Sequence, residues 1–284
     1  MRQITINSIS GGRTSSYMAI HYPADYNVFA LVCIDDPKAA HKDAKVTQMI
    51  NDRLEKSGSL AKYGEFIASA EFDETINVLL DLEDELGKEI TWIRGRSFDQ
   101  IINQKRALPN LMMRFCTTEM KILPIAEWVI DNLAYPVYMN VGIRLDEFER
   151  AKNGDALHYR NKIQVGYHPS GNRKWQEYYW AVGQYPLIED RIGVAEVNSY
   201  WNGKPAFLFP SDSNCAGCFW KSAQQLRHNF EHDPSKIQWF MDQESKRKRR
   251  FKKSMSYSSI PRIALQQDFF SGEGAGCQEG FCTD

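Results

Sequence analysis

Between residues 2 and 143 the apolar pattern switches repeatedly between two periods, and no other feature constrains the fold as much. Ile4-Thr5-Ile6-Asn7-Ser8-Ile9 alternates apolar and polar residues, and residues 27–34 form an apolar run, so 2–9 and 27–34 read as strands. Residues 43–56 place Val46, Met49, Ile50 and Leu54 on one helical face. Residues 73–86 read as a second helix, 89–94 as a strand, 119–133 as a helix interrupted near Pro124, and 137–143 as a further strand. Strands and helices in alternation predict an α/β fold: a mostly parallel twisted sheet with helices on both faces.

Beyond residue 150 the pattern loosens. Residues 152–176 are polar and Gly-rich, as in a mobile loop or a β-excursion. Helical periodicity returns at 193–201 and 219–250, and 271–284 is a Gly-rich tail. The simplest division is a nucleotide-binding domain over 1–222 and a helical extension with a Gly- and Cys-containing tail over 223–284. A 43% hydrophobic content suffices for a core. No apolar run approaches the roughly 20 residues that cross a bilayer, and no secretory signal is visible, so the expected location is cytoplasmic, without a membrane partner.

The most informative turn is Ser8-Ile9-Ser10-Gly11-Gly12-Arg13-Thr14-Ser15-Ser16, between the first strand and the first helix. A Gly-Gly pair there lets a ligand approach the backbone, and the amides opening the next helix point outward as anion donors. Ser10 or Thr14 is available to cap that helix. Ser8, Ser10, Ser15 and Ser16 add hydroxyls, and Arg13 adds a fixed positive charge. This chemistry fits phosphate or pyrophosphate; a plain flexible turn is the competing reading. The spacing is neither that of a Walker loop nor Gly-x-Gly-x-x-Gly.

The run resembles the PP-loop, Ser-Gly-Gly-x-Asp-Ser, of the adenine-nucleotide α-hydrolase-like superfamily. Three further segments resemble the phosphoadenosine-phosphosulfate (PAPS) reductase group within it: CIDDP at 33–37, LPNLMMRFCTTEMKILP at 108–124 and VGIRLDEFERA at 141–151. YPLI at 185–188 and the later Cys215-Ala216-Gly217-Cys218 follow in the expected order. The resemblance spans about residues 4–222 and implies a PP-loop, Rossmann-like nucleotide domain. It implies nucleotide contacts from Ser8, Ser10, Gly11, Gly12, Arg13, Thr14, Ser15 and Asp35. Thr14 stands where the loop usually has Asp, which weakens a Mg²⁺-ATP reading. Arg13 replaces a usual Lys, and Asp36 a usual Thr.

Six cysteines in such a chain do not suggest structural disulfides. Cys33, inside an apolar run, reads as a core residue. Cys116, Cys215, Cys218, Cys277 and Cys282 lie in Gly-, Thr- or Asn-containing segments, which favours metal or redox chemistry. Cys215 and Cys218 have the spacing of two ligands on one metal; a redox dithiol or an inert pair are the alternatives. The resemblance implies a [4Fe–4S] cluster held by Cys116, Cys215 and Cys218, with Cys277 or Cys282 as a fourth ligand or with one iron left open. Zinc is equally compatible with four thiolates. The tail lacks the Glu-Cys-Gly-Leu-His-like motif of sulfonucleotide reductases, yet Cys277 or Cys282 could supply the attacking thiolate.

Lys121 and Arg144 are the cations of the matched segments, and Arg144 follows a strand end, where open α/β sheets bind ligands. Glu147 and Arg150 have the spacing of a helix-surface ion pair. Residues 246–253 hold seven cations, a solvated helix face or a nucleic-acid contact. Three functions remain open. The first is a PAPS reductase-like enzyme that reduces a sulfonucleotide through a cysteine, with a thioredoxin- or glutaredoxin-like thiol partner. The second is an ATP-dependent sulfurtransferase acting on RNA or DNA. The third is a non-catalytic nucleotide-binding regulator.

Overall fold

A computed structural model describes residues 3–152, 158–210 and 215–265. Its main sheet has six strands in the order β5-β2-β1-β6-β8-β7. These are β1 (Thr5–Ile9), β2 (Tyr26–Leu31), β5 (Thr91–Arg94), β6 (Val137–Val141), β7 (His158–Tyr167) and β8 (Arg173–Gln184); β3 (Cys33–Ile34) and β4 (Ala68–Ser69) pair separately. The five strands from β5 to β8 run parallel, and β7 is antiparallel at the edge. The chain leaves β1 toward one side of the sheet and later returns to β6 on the other. A crevice therefore opens beyond the carboxyl ends of β1 and β6, the position at which open α/β sheets take ligands.

The helices are α1 (Arg13–His21), α2 (Ala44–Lys56), α3 (Ser59–Tyr63), α4 (Asp73–Leu86), α5 (Phe98–Lys105), α6 (Phe115–Thr117), α7 (Leu123–Asn132), α8 (Phe148–Lys152), α9 (Pro186–Glu189), α10 (Val194–Asn202), α11 (Ala223–His232) and α12 (Pro234–Arg247). Alternate residues of β2 feed two cores. Phe29 and Leu31 pack with Ala19 of α1, Ile50 of α2 and Ile76 of α4, whereas Val28 and Ala30 pack with Ala126 and Val129 of α7. The sheet is thus covered on both faces, as its continuous apolar strands require.

Register at the centre of the sheet is fixed by a buried polar row. Asn27, Asn7 and Asn140 stand opposite one another across β2, β1 and β6. Asn140 donates to Asn7 Oδ1 and Asn7 donates to Asn27 Oδ1, both at 2.9 Å. A slip of one residue would leave these amides buried without partners, at roughly 1–3 kcal/mol each.

Several elements differ from the expectation. The first helix is capped by the backbone of Gly12, with no side-chain cap from Ser10 or Thr14. Residues 158–184 form a long hairpin, so the β-excursion and not the loop describes most of the 152–176 segment. The helix expected at 119–133 begins earlier, at Phe115, and passes through a π-helical turn (Thr118–Ile122) before α7. Pro124 sits in the first turn of α7, where its missing amide costs no hydrogen bond. Helical periodicity over 219–250 resolves into two helices because Asp233 ends α11 and caps α12, with Pro234 at the α12 start.

The C-terminal helices do not pack as an appendage. Leu226, Ile237, Trp239 and Phe240 share one core with Val32, Ile34, Phe98 and Ile101. Lys236, 1% exposed, crosses between them: its ammonium donates to Ala39 O and Ser69 O and pairs with Asp73 at 3.0 Å.

Candidate functional site

Two neighbouring regions gather the side chains singled out by sequence. The first is the turn from β1 into α1. Gly11 has φ +74°, and a Cβ there would stand 2.6 Å from Thr75 Cγ2, so both the backbone and the packing call for glycine. Gly12 has φ −90°, which any residue adopts, so its backbone does not itself call for glycine. Ser15 Oγ donates to Gly12 O at 3.1 Å and accepts from the Ser10 amide at 3.1 Å, holding the turn closed. Ser16 is fully buried, and its hydroxyl has no partner. Ser8 belongs to β1, paired with Val28 and Val141, and not to the turn itself.

β6 delivers the other wall. Gly142 lies so close to the loop that a Cβ would meet Ser15 Cα at 3.1 Å. Two residues on, Arg144 Nη1 donates to Thr14 Oγ1 at 2.8 Å, and Arg144 Nη2 pairs with Asp146 at 2.9 Å. Asp146 is itself pushed up by partial burial, but Arg144 more than offsets this and holds its carboxyl below the usual carboxylate range. Glu147 accepts from the Arg144 amide and pairs with Arg150 at 2.6 Å, so the expected Glu147–Arg150 pair is present and extends to Arg144. Arg13 turns toward α10: it donates to Asn198, lies 5.6 Å from the Phe209 ring centre, and its carbonyl accepts from Trp201. The first-turn amides of α1 therefore meet a guanidinium across the crevice, and the nearby carboxylates Asp146 and Glu147 are engaged by arginines.

Asp35 lies at the end of β3, exposed, and accepts from Ser97 Oγ while its amide donates to Asp99. Asp36 caps a 3-10 turn through the Lys38 amide.

The second region is the cysteine corner. Cys116 on α6 and Cys215 pack against the same apolar cluster. Cys215 and Cys218 bracket a tight turn closed by Cys218 N donating to Cys215 O at 3.1 Å. The glycine between them is required by contact: a Cβ on Gly217 would stand 2.4 Å from the Phe240 ring. Burial pushes the Cys116 thiol up to about 11, with Cys218 adding to the shift. Burial also drives Cys215 well above the usual thiol range, helped by Glu71 and by the other two cysteines, so the three thiols act on one another electrostatically. Cys33 is a core residue, and burial pushes it up to about 12. Among the described residues no group of three or more His, Cys, Asp or Glu is gathered as a metal-holding set. Cys277 and Cys282 lie outside the described residues.

Lys121 belongs to this corner and not to the glycine loop. It pairs with Glu71 at 3.3 Å. Glu71 is fully buried, one of its oxygens has no partner, and burial raises its pKa against the opposing pull of Lys121. Sequence reading missed Glu71, because one acid in Ala68-Ser69-Ala70-Glu71-Phe72 carries no pattern beyond its apolar neighbours. It also missed Thr75, which backs Gly11, and the role of Gly142, both of which depend on contacts distant in sequence.

One short segment joins the two regions. Ala70 O accepts from Ala216 N of the Cys-x-x-Cys turn at 2.8 Å, and Thr75 packs behind Gly11. Five residues of chain reach at most about 18 Å, so the thiol corner and the loop flank the same part of the molecule. A shallow cleft at the other end of the sheet is a weaker candidate, because its cations Arg53 and Lys56 are paired with Glu83 and Glu89. No family model matches the chain, and neither does any curated protein or any solved structure.

Proposed function

We propose that this chain binds an adenine nucleotide at the β1–α1 turn and performs sulfur chemistry beside it, as a PAPS reductase-like enzyme. The observation that carries the reading is the single segment, 70–75, that packs against both the glycine loop and the Cys-x-x-Cys turn. Phosphate or sulfate oxygens would accept from the first-turn amides of α1 and from Arg144, with Ser10 and Ser15 holding the turn in shape. Arg144 bonded to Thr14, in place of a loop carboxylate, favours an anionic ligand bound without a metal over Mg²⁺-ATP.

In the reductase reading a tail thiolate, Cys277 or Cys282, attacks the sulfur of the sulfonucleotide. The O–S bond breaks, the nucleotide leaves as a bisphosphate, and the protein holds a thiosulfonate. A second thiol, from a thioredoxin- or glutaredoxin-like partner, then displaces sulfite and leaves a disulfide. Lys121 and Arg144 would offset the negative charge of the sulfonyl group and the leaving phosphate. A [4Fe–4S] cluster, or zinc, on Cys116, Cys215 and Cys218 would add fixed charge beside the nucleotide, but it would first have to draw together three thiols that are not gathered as a metal-holding set among the described residues.

A second reading, an ATP-dependent sulfurtransferase on RNA or DNA, is favoured by one observation: Lys246, Lys248, Arg249, Arg250 and Lys253 are exposed. The two separate cleanly. With PAPS alone, the reductase should gain the mass of SO₃ on Cys277 or Cys282. The transferase should instead release pyrophosphate from ATP only when its nucleic-acid target is present. No adduct, together with target-dependent pyrophosphate release, would reverse the assignment. Serine in place of Cys116, Cys215 or Cys218 should lower bound iron or zinc sharply in anaerobically purified protein. Unchanged metal content in all three variants would remove the cluster from the proposal.

A further inference from the structure

The β7–β8 hairpin is longer than the sheet needs. Only Ala181–Gln184 of β8 pair with β6, so residues 173–179 and their partners on β7 run on as a two-stranded ribbon past the amino end of β6. That end is opposite the glycine loop, and about 30 Å of strand separates Trp175 from Gln184. Tyr178 lies in ring contact with Tyr135, and Ile163 packs on the core beside α7, so one face of the ribbon is seated.

The other face is built differently. Cross-strand partners Arg160–Tyr179, Lys162–Glu177, Gln164–Trp175 and Tyr167–Arg173 place their side chains together on it. Arg160, Lys162, Arg173 and Trp175 are exposed; Trp175 keeps 52% and Tyr167 67% of its surface in solvent. Between residues 158 and 179 there are four Lys and Arg against one Glu, in a chain whose net charge is −1. The Arg160 guanidinium lies 5.0 Å from the Tyr179 ring centre, which holds both in place. A two-stranded ribbon gains little stability from leaving large rings in water. Rings interleaved with cations along a strand are what a flexible polyanion with flat apolar groups requires.

We infer that this face binds single-stranded nucleic acid, with phosphates on Arg160, Lys162 and Arg173 and bases stacked on Trp175 and Tyr167. Tyr179, under the Arg160 guanidinium and bonded to His158, holds that cation in place and leaves stacking to Trp175 and Tyr167. An acidic protein would use the cations but leave the rings without a partner; an anionic membrane surface takes both, and binding to anionic vesicles alone is the outcome that assigns the face to it. The inference goes beyond the nucleotide site and is independent of the chemistry proposed there.

The test is fluorescence anisotropy of the full chain with labelled oligo(dT) and oligo(rU) of about 20 nucleotides, across a salt series. Wild type should bind one or both, more weakly as salt rises. The Arg160→Glu, Lys162→Glu, Arg173→Glu triple variant should bind at least tenfold more weakly, with the log–log salt slope reduced by about 2, from roughly 0.7 per lost phosphate contact. Trp175→Ala should weaken binding about tenfold with its salt slope unchanged, because stacking carries no counterion release. Thermal melting of each variant establishes that it is folded. Gly12→Val, which addresses the nucleotide loop, should leave oligonucleotide binding intact and so separates the two readings. The inference is overturned if wild type binds neither oligonucleotide, if it binds only anionic vesicles, or if folded hairpin variants bind as wild type does. Loss only in a Lys248→Glu, Arg249→Glu, Arg250→Glu variant would likewise overturn it and move the surface to the segment that follows α12.

Discussion

The glycine loop and the cysteine corner lie side by side and treat charge in opposite ways. At the loop, α1 starts without a side-chain cap, and the Arg144 guanidinium is held at the surface against Thr14 and Asp146. At the corner, burial raises the thiol pKa values, and the buried carboxyls Glu71 and Asp73 are paired with half-buried Lys121 and buried Lys236. One region offers backbone amides and a cation, which is what the proposed anion would need. The other holds its ionisable groups neutral or matched until something displaces a proton.

The largest effect should come from breaking a buried pair. Lys236→Ala would leave Asp73 under α12 without its main partner and should cost roughly 3–5 kcal/mol in urea unfolding. A loss below about 1 kcal/mol would mean that water reaches Asp73 and that the corner is less sealed than its packing indicates.

Next come the two glycines of the loop, which should part company. Gly11→Ala forces a left-handed backbone and a contact with Thr75, and should cost roughly 2–4 kcal/mol. Gly12→Val should leave stability within about 0.5 kcal/mol but remove the thermal shift given by ATP or PAPS. Equal nucleotide affinity in Gly12→Val and wild type, by calorimetry, would break the phosphate-cradle half of the comparison. Arg144→Lys keeps the charge but loses the fork that reaches Thr14 and Asp146 together. It should weaken PAPS binding about tenfold, at the scale of one charge-assisted hydrogen bond, with little change in melting.

The smallest effect sharpens the contrast inside the corner through pH. Burial pushes Asp73 up, but Lys236 and the Lys42 amide more than offset this, so its folded pKa is depressed. Its contribution is present above the unfolded carboxyl value of about 3.9 and is lost as pH falls through the folded value. Glu71 is the reverse: burial raises its folded pKa, so it is least costly below about 4.3 and becomes a burden as pH rises through the folded value. Asp73→Asn should therefore lose stability relative to wild type at neutral pH and converge with it in acid. Glu71→Gln should gain relative to wild type as pH rises. Parallel profiles for the two variants would show that burial does not distinguish these carboxyls.

The loop and its partner arginine were legible because their signals are local. A strand, two glycines and a helix start stand in one stretch, and Arg144 follows the end of another strand in sequence as in space. Lys121 was legible as a cation but not by location, since its partner Glu71 comes from an unremarkable apolar segment. The hairpin was half legible: polar alternation with glycine in 152–176 left loop and strand open, and only pairing to β8 decided it.

The sequence by itself determined the alternation of strands and helices, the apolar faces, the glycine turn and the Cys-x-x-Cys spacing, because each is set by neighbours a few residues apart. Tertiary structure alone decided strand order, and with it the crevice between β1 and β6. It also decided that Thr75 backs Gly11, that Phe240 presses on Gly217, and that Lys236 ties α12 into the central core. The reason is physical. Burial, ion pairing and the choice of which amides stay open depend on what lies across the fold, and a contact between residues a hundred or more positions apart leaves no period in the chain.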